Sequence, residues 1–509
     1  MVGFGASIAW ADGQLTSHPM KNQIYNYIFN DLGLDILRLR NVYRGDPDNF
    51  GQTFFEIASE FNDRSLTLPK ILISSWSPPV DLKSNGSTEN GGTLIKDAGT
   101  GKYAYGAFAQ YWVDAINAYR TNGIEPDYIT IQNEPDYKAT WESCILSNTE
   151  TTTNAGYNRA LDSVYFALQQ IDSPPKILGP EVLGIGYNEF QNYAQYFNRN
   201  HLDGYAYHLY HGESDNVSDN HNPDLFRQNL STIAKNFSDK PIFQTEYDGG
   251  DWFNTVWLIH NCLVNGNVSA YFWWELVWGS GSKPLIEMQS TTFTVTKYYW
   301  AFRQYSRFIS SDWKRVTATD DADSLRISAF IDPTGKKLTV VVLNIGYQTL
   351  SMNFDIQDFN ADDGMVIRTS GTESGDTVSA HYNGKTSLDF PQRSITTISL
   401  AGNLTTKVRN FQLLTPIEFS LAQNFPNPFN PSTAIEYSLP KESFVSLKVY
   451  DVLGREVATL VSGIQHSGIH RAVFSSTSTK QSVQLMSGVY FYTFTTNGFT
   501  QTKKMLLLK

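Results

Sequence analysis

The sequence predicts an α/β fold: a (β/α)8 barrel over residues 1–305, a β-sandwich side domain over 306–403, a linker at 404–419 and a C-terminal Ig-like β-sandwich over 420–509. Three observations carry this. Eight strand-like segments, most with helical patterns between them, fill the first 305 residues, the signature of a closed barrel. No G-x-G-x-x-G follows the first of them, which argues against an open doubly wound sheet. After residue 305 the pattern changes to short β-branched runs separated by Asp, Gly and Pro turns.

The barrel strands read, in order, "GFGASIAW", "DILRLR", "PKILISSW", "YITIQNE", "KILGPE", "LDGYAYHLY", "PIFQTEY" and "SAYFWWEL". The helix before the fourth strand, "AFAQYWVDAINAYR", shows its type most plainly. Phe108, Tyr111, Trp112, Ala115, Ile116 and Tyr119 recur at helical spacing as one apolar stripe. Further helices are "TNAGYNRALDSVYFALQQI", "PDLFRQNLSTIAKNF" and "TKYYWAFRQYSRFI"; Pro223 suits a helix start and Gly123 a helix end. The side domain is expected from "SLRISAFI", "KKLTVVVLNI", "MVIRTS" and "SITTISLA". The last block opens with "LAQNFPNPFNPSTAIEYSLP", whose four prolines suit edges and turns rather than a central strand.

Composition narrows the function. Hydrophobic residues make up 41% and charged residues 17%, as in a globular chain. Aromatics reach 14%, with 28 Tyr and 11 Trp, an excess that fits a cleft stacking flat, hydroxylated ligands. A net charge of −11 argues against a nucleic-acid partner, whose phosphates would be repelled. No apolar run approaches the ~18 residues of a membrane span. The first ten residues lack the basic and apolar regions of a signal peptide. Cys144 and Cys262 allow at most one disulfide.

Active sites of (β/α)8 barrels lie at the C-terminal ends of the strands, so the residues there decide the chemistry. Strand four ends in Glu134, five in Glu181, seven in Glu246 and eight in Glu275. Arg38 and Arg40 stand on strand two; His208, Tyr210 and His211 stand on strand six. Trp76, Trp273 and Trp274 close strands three and eight. A lone Glu at a strand end is ordinarily just solvated. Four of them with three Trp on one rim point to a site. Two carboxylates flanking a glycosidic bond act as acid and nucleophile when about 5–5.5 Å apart, and strands four and seven face each other across an eight-stranded barrel. Arg38 and Tyr210 are placed to favour an ionised carboxylate. No metal or cofactor is expected: His208 and His211 are three apart on a strand, so they face opposite ways, and H-E-x-x-H is absent.

"ITIQNEPD", "PIFQTEY", "SSWSPP", "AYHLYHG" and "AYFWWE" together resemble glycoside hydrolase family 30, and within it the bacterial xylanase branch, from Gly3 to about Leu400. The resemblance implies a retaining endo-β-1,4-xylanase with Glu134 as acid/base and Glu246 as nucleophile. It implies that Asn133 bonds the sugar 2-hydroxyl and that Arg38, Tyr210, Trp274 and Trp76, with His208 and Trp273, bind substrate. Related activities of the family are endo-β-1,6-glucanase and glucosylceramidase; a glycan-binding protein without catalysis is the alternative from another class. Glucuronate-dependent members of this branch carry arginine after the strand-eight Trp pair. Here the chain reads "WWELVWGSGSKPLIEM", and Glu275 is expected to repel a uronate, so strict glucuronate dependence is not expected. "NFPNPFNPSTAIEYSLP", "VYDVLGREVATLV", "SGVYFYTF" and "KKMLLLK" resemble the C-terminal sorting domain of bacterial type IX secretion. That implies a secreted or cell-surface bacterial protein handled by that machinery. Without the resemblance, a carbohydrate-binding β-sandwich is the alternative for this block.

Overall fold

The computed structural model describes residues 1–508 except 48–49, 66–68, 213–221, 320–323, 406–418, 425, 466–467 and 477–484. The predicted linker lies almost wholly outside the described residues. The chain forms two compact units, Met1–Leu404 and Thr405–Lys509.

In the first unit eight parallel strands close a barrel in chain order. They are β1 (Gly3–Ile8), β2 (Ile36–Arg40), β3 (Lys70–Ser74), β4 (Tyr128–Thr130), β5 (Lys176–Gly184), β6 (Gly204–His211), β7 (Ile242–Glu246) and β8 (Val268–Trp273). Closure is made by β1 against β8, with Gly3 opposite Ala270 and Ala6 opposite Trp273. Alternation along the strands sorts the interior into layers. Ile36, Leu72, Tyr128, Leu178, Ala206, Phe243, Ala270 and Phe272 form a separate apolar cluster. Two residues further along the same strands stand Arg38, Ser74, Thr130 and His208, all buried and polar. The barrel therefore has an apolar plug below a polar layer. Gly5 serves the plug: a Cβ there would meet the Phe272 ring at 2.5 Å. The outward residues Leu37, Leu39, Ile71, Ile73 and Ile129 join the core beneath the helices. Helix Tyr105–Thr121 buries Phe108, Tyr111, Trp112, Ala115, Ile116 and Tyr119, the stripe its spacing predicts.

The predicted boundary at 305 separates barrel from sandwich by topology but not by packing. A six-stranded antiparallel sheet follows, in the order 314–316, 325–331, 337–344, 394–404, 359–369, 374–379. Its Phe330, Val341, Leu343 and Ile395 belong to the same core as the barrel helices. Helix Lys297–Ser306 is the bridge: the Gln304 amide donates to Thr369 and the Thr397 hydroxyl donates to the Gln304 carbonyl. Arg326 on the sheet reaches Asp224 of the barrel at 2.6 Å. Not anticipated from sequence is a small sheet of Val277–Trp278, Ile286–Met288 and Phe293–Val295 in the loop after β8.

The second unit has a three-stranded and a four-stranded antiparallel sheet around a core that includes Leu421, Ile435, Leu447, Tyr492 and Leu507. Pro426, Pro428, Pro431 and Pro440 all lie outside strands, as their missing N–H groups require. Cys144 and Cys262 are both free and buried. Among the described residues no helix is long and apolar enough to cross a membrane.

Candidate active site

The polar layer of the barrel is organised around Arg38. Its side chain is fully buried and each nitrogen has an acceptor: Nη1 donates to Glu246 at 2.7 Å, Nη2 to Asn133 at 2.7 Å and to Glu181 at 3.2 Å, and Nε to Ser74 at 3.0 Å. The planar fork suits this, because one cation must hold carboxylates from β5 and β7 at once. Tyr210 donates to the other Glu246 oxygen at 3.1 Å. Glu246 is thereby fixed from two sides.

Glu134 follows β4 and takes φ 45°, in the left-handed region; Glu181 takes φ 60°. The Glu134 N–H donates to the Glu181 carbonyl at 3.0 Å, and Asn133 N–H to the Ser75 carbonyl at 2.7 Å. These bonds end the strand and swing the carboxylate over the barrel mouth. His208 Nδ1 lies 2.9 Å from Glu134 Oε1. A donor atom of Glu134, one of His208 and one of Glu246 all lie within 4.8 Å of one another.

Electrostatics separate the groups. Burial pushes the Glu134 carboxyl above its ordinary value, the nearby Glu246 adds to this, and His208 opposes it. Burial also pushes Glu181 up, but Arg38 and His208 together outweigh it and hold that carboxyl below its ordinary value. Burial pulls His208 down, yet Glu246, Glu134 and Glu181 raise it to about 10. The charged form of His208 is therefore favoured, and its Nδ1 proton faces Glu134, so a metal at this trio would have to displace it.

Above this layer opens a cleft of about 700 Å3 lined by Trp10, Trp76, Glu134, Tyr137, Trp141, Leu183, Tyr210, His211, Glu246, Tyr247, Gly249, Trp274, Trp278 and Ser282. Both carboxylates of the predicted pair face it, and so do Trp76, Tyr210 and Trp274. Asn133 lies at its base with its oxygen taken by Arg38. Three expectations need correction. Trp273 does not reach the cleft: strand alternation sends Phe272 inward and Trp273 outward, against Tyr298 and Phe302. Arg38 and His208 are fully buried and absent from the cleft lining; Arg38 holds Glu246 and His208 meets Glu134. Glu275 is buried, neither oxygen has a hydrogen-bond partner among the described residues, and burial and Glu246 raise its carboxyl well above the ordinary value. That shift favours the uncharged form and weakens the repulsion of a uronate expected from this position.

Sequence reading missed Trp10, Tyr137, Trp141, Tyr247 and Trp278. Tyr137 and Trp141 lie three and seven residues beyond Glu134, so their nearness to a strand-end carboxylate was the available signal.

A barrel mouth with two close carboxylates, one of them fixed by a cation, beneath aromatic rings is an arrangement suited to cleaving glycosidic bonds. Comparison with known proteins agrees. The chain is 26% identical over 377 residues to the glucuronoxylanase XynC of Bacillus subtilis (strain 168), covering 70% of this chain and 78% of that one. An endo-1,6-beta-D-glucanase of Aspergillus fumigatus is 31% identical over 173 residues, 26% of this chain and 35% of that one. The catalytic domain of a family 30 xylanase C from Talaromyces cellulolyticus superposes with a TM-score of 0.63 at 21% identity, over 79% of this chain and 97% of its own, a likeness of fold. Residues 423–508 match the family described as secretion system C-terminal sorting domain. The resemblances read from the motifs, to glycoside hydrolase family 30 and to a sorting domain, are thus both found. The tail marks the chain as secreted.

Proposed function

We propose that the protein is a retaining endo-β-1,4-xylanase exported through type IX secretion. The carrying observation is the short gap between Glu134 and Glu246, an oxygen of each within 4.8 Å of the other, which suits double displacement better than the wider spacing of an inverting enzyme. Glu246, aligned by Arg38 and Tyr210, attacks the anomeric carbon. Glu134, whose carboxyl burial and the nearby Glu246 push above its ordinary value, gives its proton to the departing oxygen. Once Glu246 is esterified its charge is gone. The Glu134 carboxyl then becomes more acidic and serves as the base that activates water. The Asn133 amide, its oxygen held by Arg38 at 2.7 Å, is assigned to the 2-hydroxyl.

The xylanase relatives support xylan as substrate. No Arg or Lys lines the cleft among the described residues, which supports an undecorated or neutral chain over one held by its uronate. Proton NMR of the first-formed anomer on linear xylan is expected to give the β-product. An α-product excludes double displacement. Glu246→Ala is expected to lose several orders of magnitude in kcat and to recover turnover, with inverted configuration, in azide or formate. Activity on β-1,6-glucan and none on xylan would replace the substrate assignment with that of the glucanase relative.

A further inference from the structure

The outer wall of the barrel carries a second cavity, of about 420 Å3, which shares no residue with the cleft. It lies between helix Glu189–Ala194, the turn Arg199–His201 and the end of helix Arg227–Asn236. Five of its lining side chains are carboxamides: Asn188, Gln191, Asn192, Gln195 and Asn236. The first four are spaced by three and four, so they share one face of the short helix and its caps. No Asp or Glu lines the cavity. The rest of the lining is Arg199, whose guanidinium stands 4.3 Å over the Phe237 ring and 3.9 Å from Asp239. Phe237 is 5% exposed and packs edge-on against Phe190 at 5.0 Å and Tyr205 at 5.2 Å, which fixes the floor.

The fold leaves most of these amides unused. The bonds that reach Asn192 and Asn236 end on their backbone carbonyls, from Asn148, Gln195 and Arg199. Gln191 Oε1 has no hydrogen-bond partner among the described residues. A shielded acceptor left unpaired costs stability until a donor reaches it. Each carboxamide offers two donors and an acceptor, and a sugar hydroxyl both donates and accepts, so the two are matched. An apolar ligand would strand these groups, and an anion would satisfy their donors alone.

We propose that this wall cavity is a non-catalytic saccharide site that holds a short stretch of the polysaccharide cut in the cleft. The saccharide class follows from the amides, and xylan as the polymer rests on the function proposed above. With no residue in common, cavity and cleft can be filled at once. A polymer caught at the wall is then held at a raised local concentration beside the cleft, which lowers the amount of substrate needed without altering the bond-breaking step.

The test is calorimetric titration of xylotetraose into the full-length Glu246→Ala protein, where two sites are expected. Adding Asn192→Ala and Asn236→Ala, both at exposed positions, should weaken one site more than tenfold, at roughly fivefold for each lost bond, and leave the other unchanged. In the protein that keeps Glu246, the same pair should leave kcat/KM on xylotriose unchanged and raise the apparent KM on insoluble xylan about two- to fivefold at constant kcat. Should the pair fail to fold, each single variant carries the test at about fivefold. A single site in Glu246→Ala, or two that survive the pair, overturns the proposal. Binding of glucuronate but not of xylotetraose at the wall also overturns it, in favour of an anion site around Arg199. If the wild type cuts β-1,6-glucan and no xylan, the xylanase reading fails and the titration is made with a β-1,6-gluco-tetraose: a second site lost in the pair sustains the wall cavity, and its absence overturns it.

Discussion

Replacing Arg38 by Met tests whether one guanidinium holds the polar layer together. Met fills similar volume but removes four donated hydrogen bonds, two of them to carboxylates at 2.7 and 3.2 Å. Charge-assisted bonds of this kind contribute about 1.5–3 kcal/mol each. Stranding a buried charge by deleting its partner costs about 3–5 kcal/mol, and that range is the expectation for Arg38→Met at neutral pH. All eleven tryptophans precede residue 405, so tryptophan fluorescence in urea reports on the first unit alone. The midpoint should drop at unchanged m. The pH dependence is more diagnostic. In the wild type the Glu181 carboxyl sits below its ordinary value, so its contribution is present above that value and is lost only on acidification through the lowered one. In Arg38→Met burial prevails and the carboxyl moves the other way: its charged form is penalised at pH 7 and the penalty lifts as it protonates. The gap between the two proteins should therefore narrow from pH 7 towards about pH 4. A loss under about 1 kcal/mol, or a gap independent of pH, refutes the view that Arg38 is the shared counter-ion.

Two further outcomes are expected. Glu275→Gln should match or exceed the wild type in stability, with an advantage that grows by up to about 1.4 kcal/mol per pH unit above the ordinary carboxylate value, because the unfolded chain ionises there and the folded one does not; urea titrations at pH 5, 6 and 7 measure it, and a variant that loses ground as pH rises would show the carboxyl to be ionised. Deleting residues 405–509 should leave folding and soluble-xylan hydrolysis intact, as the unit boundary at Leu404 implies; a folded but inactive truncation would make the tail part of the catalytic unit.

The barrel was legible because eight β-rich segments separated by helical stripes leave few other closures, and the place of Glu134 and Glu246 on the cleft was legible because both stand at strand ends. What failed was sidedness. "FWWE" places three large or charged groups in a row, but a strand can turn only alternate residues inward, and β8 ends at Trp273. Trp274 and Trp273 therefore part company, and Glu275 is carried into the interior. Depth failed too: Arg38 and His208 are on the expected strands and face but one layer below the cleft surface. Residue type cannot tell a group that touches a sugar from one that aims the group touching it. The rings at 137 and 141 escaped notice because they stand on a loop, where no periodicity marks which way a side chain faces.

The left-handed backbone at Glu134 bears on how inactive forms of the protein should be made. Alanine is usually the gentler truncation and glycine the harsher, since glycine gives the unfolded chain more freedom. At φ 45° the order reverses, because a Cβ there costs roughly 1–2 kcal/mol that glycine avoids. Glu134→Gly and Glu134→Ala both remove the carboxyl, but the glycine form keeps the turn without strain. Glu134 thus occupies a position whose geometry would be served better by a residue with no side chain at all, and a glycine variant is the form in which loss of activity is least confounded by loss of fold.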